Sequence, residues 1–182
     1  MTKPGQPVRR VVTGNDAQGR SVVLYDSEAP ARHIRPNGTH FVELWTFDTS
    51  PAPLAGTRDE SDRALSHSPP AMGAHYRIVQ IPPDAEATIT HNAAASNFND
   101  MNSNSLSEHV GGSRHWNMHR TPTVDYGIVL DGEYVHVLPE EDILMKPGDI
   151  VVQLAHVHSW SNQTGSTGAI AFDMIGGEPW KK

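Results

Sequence analysis

Two short blocks of side chains that can bind metals or move protons lie between residues 119 and 162. The first runs His119-Arg120-Thr121-Pro122-Thr123-Val124-Asp125 and is followed seven residues later by Gly132. The second, Pro147-Gly148-Asp149, leads into His156-Val157-His158-Ser159-Trp160-Ser161-Asn162. An imidazole titrates near neutral pH and is a common metal ligand, and a carboxylate partner fixes its tautomer and raises its basicity. Blocks of this composition suit either a metal centre or proton transfer.

The elements that must position these residues read as strands. Residues 124–130, 133–138, 143–145, 150–154, 158–162 and 168–175 form a meander whose Asp131-Gly132 pair is a strong hairpin signal. Upstream, residues 8–13 and 20–25 predict an N-terminal hairpin, and residues 40–47 and 75–81 predict two more strands. Alternation in the latter places His75, Arg77, Val79 and Ile81 on one face. The Pro- and Ser-rich stretch 51–73 is expected to be a surface loop with one short helical turn near residues 59–65. The Asn- and Ser-rich stretch 93–117, which holds His109 and His115, reads either as a lid or mouth loop or as disorder. Short strands without a helix of normal length indicate an antiparallel sandwich or barrel.

The order of the two blocks resembles the two-motif signature of the cupin superfamily. In that pattern a Gly is followed by His-x-His, a Glu and a second Gly; the second motif runs from Gly through Pro-x-Gly to His and Asn. Here His119 takes the first His position, Thr121 replaces the second His and Asp125 replaces the Glu. Gly148, His158 and Asn162 stand where the second motif expects them, with Gln153 for Pro, Ala155 for Gly and one residue fewer between. The run MHRTPTVDYGIVLDGE and the opening RRVVTGNDAQGRSVVLYDS are similar to those of small single-domain bacterial and fungal cupins. The resemblance implies an all-β fold, an RmlC-like antiparallel β-barrel or jelly roll with an N-terminal hairpin and long surface loops. It spans most of residues 8–175, and one domain is expected over residues 1–182, with the barrel core at about 75–175.

Carried over residue by residue, the resemblance implies that His119, Asp125 and His158 point into the barrel and form the metal-ligand set, for iron, manganese, zinc or nickel. Two imidazoles and a carboxylate can make the facial triad of non-haem iron. His156 is either a fourth ligand, a proton shuttle or a solvated side chain. Without a metal, His158 serves as a base with His119 or Asp125 as partner, suited to dehydration, isomerisation, decarboxylation or β-elimination beside a carbonyl. Trp45, Phe47, Tyr76, Trp116 and Trp160 are candidates to line the mouth with Thr121, while Tyr126 is assigned to the core. Arg77 or Arg120 is the candidate anchor for a carboxylate or phenolate. His33, His40, His67, His91 and His136 have no spacing that groups them and are read as surface or strand-edge residues.

Three functions follow: an acid–base lyase, dehydratase or isomerase acting on an organic acid, ketone or phenol with a metal optional; an iron-dependent dioxygenase of an aromatic substrate; or a non-catalytic binder of small ligands. Small cupins commonly exchange N-terminal strands, so the resemblance also implies a homodimer with residues 8–25 as the exchanged element. Composition narrows the remaining classes. With 14 Lys and Arg against 21 Asp and Glu, the net charge of −7 argues against a nucleic-acid or anionic-membrane surface. No Cys is present, so disulfides, thiolate nucleophiles and Cys-based metal centres are excluded. Absence of an apolar span and of an apolar stretch in MTKPGQPVRR predicts a cytoplasmic protein. No Gly-rich phosphate loop or Rossmann fingerprint occurs, so no nucleotide cofactor is expected.

Overall fold

The computed structural model describes residues 5–56, 58–86, 108–109 and 114–178. Six strands, β3 (Ala31–Ile34), β4 (His40–Phe47), β5 (Ala74–Ile81), β8 (Thr123–Asp131), β11 (Ile150–Leu154) and β13 (Gly168–Gly176), form one antiparallel sheet in the order β11-β8-β13-β5-β4-β3. A three-stranded sheet consists of β9 (Tyr134–Val137), flanked by β10 (Asp142–Met145) and β12 (Ser159–Ser161). The two sheets pack face to face: Val79, Val129, Ile170, Phe172 and Met174 from the large one share a core with Tyr134, Met145 and Trp160 from the small one. Two-residue strands β6 (Glu108–His109) and β7 (His119–Arg120) pair with each other, and His119 of β7 forms an isolated bridge to His158, the residue before β12.

Period-two alternation decides which side chains face inward. In β8, Thr123, Asp125, Gly127 and Val129 are buried, whereas Tyr126 and Ile128 face out. Gly127 is required by a close approach, since a Cβ there would lie 2.9 Å from both Phe172 and Val151. Asp125 therefore enters the interior because it shares a face with the apolar Val129. Tyr126, expected in the core, is 45% exposed on the outer face for the same reason. Gly132 and Gly148 have φ of 82° and 95°, a left-handed conformation that glycine adopts without steric penalty.

The N-terminal hairpin is present, with β1 (Arg9–Asn15) paired to β2 (Ser21–Glu28) as a separate two-stranded sheet. The large sheet begins upstream of residue 75, because β4 and the unforeseen β3 extend it. The helical turn expected near residues 59–65 is not formed. The Asp59 carboxylate instead accepts bonds from the Ser61 amide and hydroxyl and pairs with Arg10, holding a tight bend. Among the described residues the helical structure is the 3-10 turn Asp84–Glu86, and no helix is long and apolar enough to cross a membrane. Most of the 93–117 segment lies outside the described residues.

Asn162, the last residue of the second motif, is a structural tie. Its amide N–H groups donate to the Ile81 and Ser166 carbonyls, each at 2.9 Å, and its carbonyl accepts from Thr164. These bonds bind the end of β12 to the end of β5 and to the turn that enters β13. The motif position is thus explained by chain geometry with no chemical role required.

Candidate functional site

A cavity of about 90 Å³ opens between the two sheets. Its apolar wall includes Phe41, Val79, Trp116, Trp160, Phe172 and Met174, and its polar wall includes His67, Asp125, Gln153, His119 and His158. The central constraint is a two-residue bridge, in which the amide of each of His119 and His158 donates to the other's carbonyl at 2.9 Å. That bridge brings residues 39 positions apart into register and sets their ring centroids 4.6 Å apart.

Each ring is fixed by a main-chain acceptor. His119 Nδ1 donates to the Asn117 carbonyl at 2.6 Å, and His158 Nδ1 donates to the His156 carbonyl at 3.0 Å. Since a carbonyl can only accept, both imidazoles carry their proton on Nδ1, and Nε2 is the basic nitrogen. The Nε2 of His158 accepts from the Gln153 amide at 3.0 Å, and the same NH₂ group donates to Asp125 Oδ2 at 3.2 Å. Thr121 and Thr123 share a hydroxyl bond of 2.6 Å beside Asp125. Ala155, at the Gly position of the motif, has φ of 50°, a left-handed conformation that costs an L-residue about 1 kcal/mol. This strained turn precedes His156 and aims His158 inward.

Burial controls the charge states. It pushes the Asp125 carboxyl up to about 6, against opposing bonds from Thr123 and Gln153 and the charge of Arg77. Burial also holds His158 well below the ordinary imidazole value, with the neighbouring His119 acting in the same direction. His67 is lowered in the same way, by burial and then by His119. His136, stacked on Trp160 with centroids 4.5 Å apart, falls to about 4. At the mouth, Asp84 is buried in part, but bonds from His115 and Ser161 outweigh that effect and keep its carboxyl low.

Seven of the residues singled out from sequence meet at this cavity: Arg77, Trp116, His119, Thr121, Asp125, His158 and Trp160. Trp45, Phe47 and Tyr76 do not line it. A bulge between Glu43 and Trp45 changes the alternation of β4, so that Trp45 pairs with the outward-facing Tyr76. His156 stands behind the wall, its ring 5.2 Å from that of His158. Arg77 is 1% exposed and already paired with Glu43 at 2.9 Å, so its charge is answered before any ligand arrives. His67 and His136, read as surface residues, are both buried. Gln153 had a sequence signal in its departure from the motif Pro; His67 had none.

His119, Asp125 and His158 do not fit a tightly held metal. Among the described residues no group of three His, Asp or Glu side chains is arranged to hold an ion. The physical reason is Gln153, whose amide stands between Asp125 and His158 and directs an N–H at the nitrogen that would have to coordinate.

An antiparallel two-sheet fold with a histidine-lined cavity defines the class, and comparison supplies the family. No protein-family model matches the chain. It is 30% identical over 163 residues to the oryzines biosynthesis cluster protein J of Aspergillus oryzae, with 85% of this chain and 74% of that protein covered. Over 164 residues it is 25% identical to the cupin-domain-containing oxidoreductase fogC of Aspergillus ruber, covering 87% of this chain and 66% of that protein. The chain thus spans about two-thirds to three-quarters of the length of these relatives. An RmlC-like cupin from Shewanella frigidimarina superposes with a TM-score of 0.42 at 9% identity, covering 84% of this chain and 86% of that one. This chain belongs to the cupin superfamily.

The buried imidazoles predict how stability depends on pH. His67, His75, His136 and His158 all lie below 6.5 in the folded protein, His75 at about 2 and His136 at about 4. An unfolded chain binds these protons near pH 6.5, so their stabilisation is complete above that value and is lost as pH falls toward the folded values. Asp125 acts oppositely: its contribution is present below about 3.8 and lost as pH rises through about 6. The imidazoles outnumber the carboxyl, so the net effect of these groups is acid lability. Urea denaturation across pH 5 to 8 checks this, and equal stability at pH 5 and pH 7 would contradict it. Asp125→Asn should raise stability at pH 8 and have a smaller effect at pH 4.

Proposed function

We propose that this cupin is an enzyme that moves protons on a small, uncharged, largely apolar molecule carrying an enolisable carbonyl or a phenolic hydroxyl, in a lyase, dehydratase or isomerase reaction. The observation that carries the reading is the pair of cavity imidazoles, each with Nδ1–H held on a main-chain carbonyl and Nε2 left as the basic atom. In this scheme the proton acceptor is His119, which lines the cavity beside His158. A proton leaves the carbon beside the carbonyl for His119 Nε2, and the electron pair moves to the carbonyl oxygen as the enolate. The imidazolium keeps its bond to the Asn117 carbonyl. Return of the proton to another carbon gives isomerisation, and departure of a β-substituent gives elimination. Asp125, ionised above about pH 6, is linked to His158 by the Gln153 amide, which donates to both. Trp116, Trp160 and Phe172 supply an apolar wall that excludes water from the enolate.

The names of the relatives favour a second reading, an oxidoreductase. The iron-dependent form of that reading conflicts with the position of Gln153. Proton exchange tests the first reading directly. Cyclohexanone, 2-cyclohexenone and phenylacetaldehyde incubated with the protein in D₂O should show catalysed exchange beside the carbonyl by proton NMR. His119→Gln should slow it by at least about 100-fold, the usual scale of a general base. A folded His119→Gln protein with the wild-type exchange rate would remove His119 from the chemistry, and binding without exchange would favour the non-catalytic alternative.

We also propose that the chain forms a homodimer through the outer face of the large sheet. Tyr126, Ile128, Ile150, Val152 and Leu154 are each at least 41% exposed there, on the adjacent strands β8 and β11. The patch is apolar and contiguous, and Ile150, Val152 and Leu154 lie on the edge strand β11. Surfaces of this kind mark interfaces, and standard ones bury about 800 Å² per partner. Sedimentation should give twice the chain mass for the wild type and the monomer for Val152→Asp; a monomeric wild type would contradict the proposal.

A further inference from the structure

The Pro- and Ser-rich connection between β4 and β5 is fixed to the barrel by two buried arginines. Near its start, Arg10 pairs with Asp59 and donates to the Ser61 hydroxyl at 2.9 Å and to the Leu44 carbonyl at 2.7 Å. Near its end, Arg77 donates to the Ser66 carbonyl at 2.8 Å and to the His67 carbonyl at 2.9 Å, while Glu43 balances its charge. Leu65 packs on Phe41, whose ring also lies 5.5 Å from the Arg77 guanidinium. The residue held by these contacts, His67, is 7% exposed and places its ring in the cavity wall, edge-to-face with His119 at 5.0 Å.

A buried imidazole on an ordinary connecting loop needs a reason, because loops keep polar side chains near water. An ion pair removed from water is also unfavourable unless its remaining hydrogen bonds are made, and Arg77 makes two of them to the backbone that carries His67. We propose that His67 is a ligand-contacting residue of the cavity and that Arg77, through Glu43, is its positioning residue and not an anion anchor. The site then has three imidazoles, two from the barrel and one delivered by the loop. Its ligand is neutral, a phenol or an enolisable ketone, because Arg77, the arginine among the described residues of the wall, is neutralised internally by Glu43. This inference rests on the acid–base reading for its chemistry, but not for the contact itself.

Phenol and benzoate, the same ring without and with a carboxylate, are the probes. Each is titrated into protein with nitrogen-15-labelled histidine while the ring resonances of His67, His119 and His158 are followed. With phenol, all three should shift together and saturably, and benzoate should bind at least ten-fold more weakly. His67→Gln should weaken phenol binding at least ten-fold while leaving the melting temperature within a few degrees of wild type. Arg77→Lys, which keeps the charge but loses the forked geometry, should abolish the His67 response and preserve those of His119 and His158. If Arg77→Lys does not fold, the His67→Gln result decides. Shifts confined to His119 and His158 would overturn the role of His67 while sparing the acid–base reading. Stronger binding of benzoate would overturn the positioning role of Arg77. No response from any of the three would overturn the proposal together with the site on which it rests.

Discussion

Two main-chain hydrogen bonds between His119 and His158 hold the site together. They join β7 to the residue that precedes β12, and thereby bring the two motifs onto one wall of the cavity. Ring orientation then follows from local geometry, because the carbonyl two residues before each histidine captures its Nδ1–H. The apolar contents of the sheets supply the opposite wall, with Phe172 set against Trp160 at 5.8 Å. Chain topology and side-chain chemistry therefore meet at the same two residues.

A second constraint is charge neutrality. Burial in the wall of the cavity favours an uncharged His158 and raises the carboxyl of Asp125. The arginine in its wall is matched by Glu43, and Arg10 is matched by Asp59 at the other end of the same loop. Burial of ion pairs is weak evidence for stability, and both pairs here hold backbone carbonyls in place. Between Asp125 and His158 the neutral amide of Gln153 donates to both.

Much of this was legible in the residues. Strand β11 falls where its β-branched run predicts it, and the alternation from Val129 back to Asp125 follows from the period of a strand. The motif resemblance located His119 and His158. Alternation failed at β4 because a bulge between Glu43 and Trp45 turns Trp45 outward, and no local pattern announces that bulge. Arg77 was placed on the right face, but its partner Glu43 lies 34 residues away and only pairing of β4 with β5 reveals that its charge is spent. His67 was invisible because it sits in a Pro- and Ser-rich stretch whose composition looks like a surface loop. Tertiary bonds from Arg10 and Arg77 are what fold that stretch inward.

We propose that the cavity imidazoles are proton acceptors and not the ligands of a tightly bound metal. Equilibrium dialysis against iron(II), under anaerobic conditions, and against zinc(II) tests this most directly, with metal measured per chain in the wild type, His119→Gln and His158→Gln. The prediction is far less than one equivalent retained at micromolar free metal, with no difference among the three proteins. One equivalent held by the wild type and lost in both variants would contradict it, and would require Gln153 to leave the position between Asp125 and His158.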